Sequence, residues 1–91
     1  MVKVCLEVLA AGVRLKEYRE EKNLTRNKLG LMAGTDPKRI AIIEDGKGEG
    51  TILWYYHIMK YFGLDLNNLF DERYNDILDE LYQKEDYYER I

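Results

Sequence analysis

The chain has 91 residues, of which 46% are hydrophobic and 34% charged, and a formal net charge of −3. That is one small domain with a single core; it buries only about 60% of its unfolded surface, so self-association is the expected supplement to a marginal stability. One cysteine, Cys5, excludes an internal disulfide framework and a cysteine-rich zinc site, and no apolar run approaches the roughly 18 residues of a membrane span.

Residues 2–9 alternate Val2, Val4, Leu6 and Val8 with Lys3, Cys5 and Glu7, the two-residue period of a half-buried strand. Val4, Val8, Ala11, Leu15 and Tyr18 also share one helical stripe, so the segment is either a strand or the start of the first helix. The β-branched valines and the break offered by Gly12 favour the strand. Helix formers from Val13 to Lys22 predict a first helix that stops at Asn23. Thr25 is placed to cap a second, which packs Leu29 and Met32 and ends at Gly34, where a left-handed turn suits glycine. Asp36 followed by Pro37 starts a third, with Ile40 and Ile43 inward, that ends at Gly46. Thr51 is placed to cap a fourth through Phe62, whose apolar surface is Leu53, Trp54, Ile58, Tyr61 and Phe62, with Gly63 as terminator. Asp65 caps a fifth that has no breaker before the terminus. Along it Phe70, Tyr74, Ile77, Leu81 and Tyr88 recur at three- and four-residue steps interrupted at Lys84, a stripe that needs a partner.

Charge is unevenly placed. Residues 12–47 hold nine basic and six acidic side chains, whereas residues 65–91 hold three basic and nine acidic. The middle of the chain can meet phosphates while the tail repels them. No catalytic constellation is visible. His57 is the one histidine, on a helix beside Tyr55 and Tyr56, where packing is the ordinary role. The tail carboxylates have no metal-loop spacing, and the glycines of 46–50 have neither a preceding strand nor a P-loop lysine-serine pair. No enzyme activity, cofactor or metal is expected. The start shows no secretory signal pattern, and a cytoplasmic location is expected.

The run Leu24-Thr25-Arg26-Asn27-Lys28-Leu29-Gly30, then Gly34, Ile40, Ile43-Glu44 and Gly46, resembles the helix-turn-helix domain of the phage repressor and Cro family, the XRE-type regulators. Gly63-Leu64-Asp65-Leu66-Asn67-Asn68-Leu69-Phe70 is similar to that family's closing segment. The resemblance implies an all-α, five-helix repressor/Cro-like domain over 12–70. Residues 1–11 would precede it as a strand or helix extension, and 71–91 would follow as an acidic helical extension. It also implies a partly buried ion pair between Arg19 and Glu44, and a third helix that enters the major groove of double-stranded DNA. On the matching positions Thr35, Lys38, Arg39 and Ile42 would face bases, and Arg26, Lys28 and Lys47 phosphates. Arg26 stands where the family commonly has glutamine, and Gly30 where it has another small residue. Pro37 and Ile42 stand where many relatives carry polar readers, so Ile42 faces either a thymine methyl or a core or partner surface. The loop 46–50 is either a phosphate-contacting loop, favoured by Lys47 and opposed by Glu49, or a connector.

The function implied is that of a sequence-specific transcriptional regulator, a repressor in a phage, plasmid or bacterial circuit. It would act as a homodimer through Tyr74, Ile77, Leu81 and Tyr88 or through the N-terminal strand. The competing expectation is a protein-interaction module, or an inhibitor that mimics nucleic acid, binding a protein partner through the acidic, tyrosine-rich C-terminal helix.

Overall fold

The computed structural model describes residues 5–47 and 52–84. Its helix boundaries fall where side chains satisfy the backbone groups that a helix end leaves open. Thr25 accepts the Lys28 N–H at 3.0 Å and starts α2 (Arg26–Ala33), and Asp36 accepts the Arg39 N–H at 2.9 Å and starts α3 (Pro37–Glu44) with proline in its first turn. α4 spans Ile52–Tyr61 and ends before Gly63. A capping box of Asp65 and Asn68 opens the short α5 (Leu66–Leu69). With α1 (Leu6–Glu21) and α6 (Glu72–Lys84), the described residues form six helices and no strand, an all-α helix-turn-helix architecture.

Three sequence expectations are corrected. The alternation of residues 2–9 does not make a strand over its described part, because Leu6 begins α1; residues 1–4 lie outside the described residues. Leu6, Ala10, Ala11 and Leu15 are buried together, and the core gained along that helical stripe outweighs the strand preference of the valines. The core face of α4 is Tyr55, Ile58 and Met59, continued by Phe62, whereas Leu53 is 73% exposed and Tyr61 is also exposed. The fifth helix does not run on to the terminus. Phe70 leaves helical geometry at φ −97°, ψ 56°, and Asp71 accepts the Tyr74 N–H at 3.0 Å to start α6.

The core gathers Leu15, Leu29, Ile40, Ile43, Ile58, Met59 and Leu69, each fully buried. α1 approaches the C-terminal end of α3 so closely that a Cβ on Gly12 would lie 2.5 Å from the carbonyl oxygen of Glu44, so only glycine fits there. Gly34 closes α2 in the left-handed region at φ 74°, which reverses the chain toward α3 within three residues.

α6 lies antiparallel along α1. Arg14 holds Asp71 at 2.7 Å and Arg73 holds Glu17 at 2.8 Å near the start of α6, while Tyr82, near its end, donates to Glu7 at 2.8 Å. Tyr74 and Ile77 are buried in the core, with Leu78 and Leu81 packed partly against it. The stripe expected on a protruding tail therefore finds its partner in α1, within the same chain. Tyr88 lies outside the described residues.

Candidate nucleic-acid interface

α2, a three-residue turn and α3 form the motif. Ile40, Ile43 and Glu44 of α3 point inward and fix its rotation, which turns Lys38, Arg39 and Ile42 outward. Ile42 is 41% exposed, so of the roles left open for it, burial in the protomer core is excluded. Thr35 is half-buried in the turn, its N–H donating to the Gly30 carbonyl at 2.7 Å. Lys28 is exposed on α2, and Lys47 is exposed just past α3 with its N–H on the Ile42 carbonyl at 3.1 Å. Residues 48–51, which include most of the glycine-rich loop and the expected Thr51 cap, lie outside the described residues.

Behind this face, Glu44 gathers two arginines. Its fully buried carboxylate accepts from Arg19 Nε at 2.5 Å and Nη2 at 3.1 Å, and from Arg26 Nε at 3.0 Å; Arg19 Nη1 also donates to the Leu24 carbonyl at 2.7 Å. The hydrogen bonds to Glu44 raise the Arg19 guanidinium above its ordinary value. Arg26, read from the sequence as a phosphate contact, is therefore engaged inside the domain, with its Nη2 also 3.8 Å from Asp45. Nothing in the local sequence signals this. It depends on the start of α2 lying beside the end of α3. Beside this cluster lies an open cleft lined by Lys16, Glu20, Thr25, Asn27 and Pro37, in which the basic and acidic side chains offset one another.

On the other flank, the Arg39 guanidinium lies over the Trp54 ring of α4, 5.5 Å from its centroid. Trp54 meets His57 edge to face, and His57 Nε2 is 3.0 Å from the Ala33 carbonyl, a contact in which the ring N–H donates. His57 is exposed at the surface, where its ring stacks edge to face on Trp54 and Tyr61. Among the described residues no group of histidine, cysteine and carboxylate side chains is arranged to hold a metal, and no helix is long and apolar enough to cross a membrane.

Residues 12–86 match the helix-turn-helix domain family. The chain belongs to that family. Among curated relatives, the HTH-type transcriptional regulator PuuR of Escherichia coli is 32% identical over 66 residues, which is 72% of this chain and 36% of PuuR. An uncharacterised HTH-type transcriptional regulator of Methanocaldococcus jannaschii is 33% identical over 57 residues, 63% of this chain and 86% of that protein. This helix-turn-helix protein thus spans about a third of the length of PuuR and most of the archaeal relative. No solved structure gives a significant match.

Proposed function

We propose that this helix-turn-helix protein is a sequence-specific DNA-binding transcriptional regulator that acts as a homodimeric repressor, each subunit setting α3 in the major groove of one half-site. The observation that carries the proposal is the division of α3 into a locked inner face and an outward face bearing Lys38, Arg39 and Ile42, chemistry suited to guanine edges, phosphates and thymine methyls. The names of both relatives, each an HTH-type transcriptional regulator, support it. Lys28 and Lys47 are the phosphate contacts that complete this surface, and Arg26 acts through Glu44 to hold the motif's shape. The homodimer is carried over from the resemblance to the repressor and Cro family. Tyr74 and Ile77 lie in the chain's own core beside α1, which favours another surface for the homodimer.

The deciding experiment is selection from a randomised duplex library at near-physiological salt, since affinity for DNA has no meaning apart from ionic strength. Enrichment of a two-fold symmetric motif is the expected result, with two protein chains per duplex in sedimentation. Recovery of no preferred sequence would overturn the proposal.

A further inference from the structure

Arg39 differs from the other described arginines. Arg14, Arg19, Arg26 and Arg73 each hold a carboxylate, whereas Arg39 has no acidic partner among the described residues and rests on an aromatic face. The residue that supplies that face is firmly framed. On one side of Trp54 in the chain, Tyr55 is buried and donates to the Ile43 carbonyl of α3 at 3.2 Å; one turn on, His57 donates to the Ala33 carbonyl of α2 at 3.0 Å. α4 is thus tied to both helices of the motif, and the indole is held at a fixed place beside the outward face of α3.

We infer that Trp54 is a positioning residue for DNA binding: its ring holds the Arg39 guanidinium over α3, ready for a base edge or phosphate, without itself being the group that binds. This rests on the DNA-binding reading above and adds a residue of α4 to its determinants. An unpaired arginine on a helix surface samples many rotamers, and ordering them on binding opposes association. A guanidinium stacked on an indole has lost much of that freedom beforehand, and its edge N–H donors stay open to a second partner.

The test is a double-mutant cycle on the full chain, with a fluorescein-labelled duplex of mixed sequence as the probe and anisotropy as the readout. Trp54→Leu is expected to weaken binding about two- to fivefold, the range of a partly exposed cation–aromatic contact. Arg39→Ala weakens it at least as much. The double variant binds no worse than Arg39→Ala alone, an outcome a purely structural role for Trp54 would not produce. Trp54→Phe, which keeps a ring, recovers part of the loss. Losses that multiply in the double variant, or wild-type binding by Trp54→Leu, would overturn the inference. A second measurement does not require a Trp54 variant to fold. Trp54 is the only tryptophan in the chain, so Arg39→Ala should alter the emission of the DNA-free protein while Lys38→Ala leaves it unchanged; unaltered emission in Arg39→Ala overturns the contact. If the wild-type chain binds no duplex, it is the DNA-binding reading itself that fails.

Discussion

Glu44 accepts three guanidinium N–H groups from two helices at a position without access to water. Removing Arg19 strips it of its closest partner and leaves a buried charge undercompensated, a change that typically costs about 3–5 kcal/mol. Arg19→Ala is expected to lower stability by that order in urea denaturation. Arg26→Ala should cost about 1 kcal/mol or less, because the Arg26 side chain is 35% exposed and water screens its share of the cluster. Equal effects of the two substitutions would mean that the carboxylate is not held chiefly by Arg19. Gly12 is the other residue on which this contact turns. A methyl group there meets the carbonyls of Ile43 and Glu44 at 2.6 and 2.5 Å, backbone atoms that cannot swing aside. Gly12→Ala should therefore destabilise by about 1–3 kcal/mol, measured by the same denaturation series.

At the scale of elements, α3 and α6 make contrasting predictions. Neutralising Lys47, beyond the end of α3, should weaken binding to all duplexes alike and reduce its salt dependence. Changing Lys38 or Arg39 on the outward face should relax sequence preference, which selection from a randomised library reads directly. Uniform loss from Lys38→Ala would move that residue from base reading to phosphate contact. α6 is held to α1 by charges that respond to pH. The Arg14 guanidinium holds the Asp71 carboxyl below the usual carboxylate range, aided by the Tyr74 N–H. Asp71 therefore remains ionised in the folded chain at pH values where the unfolded chain has taken up a proton. Its contribution is complete above the unfolded value of about 3.9 and is lost as pH falls from there through the lower folded value. Thermal melts across that window should show a shallower acid loss for Asp71→Asn than for the wild-type chain. Parallel curves would show that the Arg14 pair carries no stability.

For the whole molecule, the position of α6 changes what a truncation means. Tyr74 and Ile77 are part of the same core as Leu15 and Ile40, so α6 completes the domain and presents the charges of Glu72, Asp76, Asp79 and Glu80 outward. Deleting residues 72–91 should expose the α1 face that these side chains cover and produce a chain that melts at markedly lower temperature, detectable by circular dichroism. A truncated chain with wild-type melting behaviour would restore α6 to the role of an appendage. The acidic outer face also separates the charge of the molecule into two regions, since residues 12–47 carry the basic surplus and residues 65–91 the acidic one. Such a distribution would favour approach to a polyanion by the basic side, as the proposed function requires, even though the net charge is negative.

Short-range chemistry was legible in the residues alone. The caps at Thr25, Asp36 and Asp65, the proline after Asp36 and the left-handed Gly34 act within a few residues of themselves, and the spacing of Ile40, Ile43 and Glu44 follows from the helical repeat. A stripe of apolar side chains states that a face is buried without stating against what. Only the packed chain settles that Leu6 begins a helix, that α1 receives Tyr74 and Ile77, that Arg26 turns inward to Glu44 and that Trp54 lies under Arg39. Each of these is a contact between segments distant in sequence, decided by which faces meet when a single small core closes, and no local propensity carries that information.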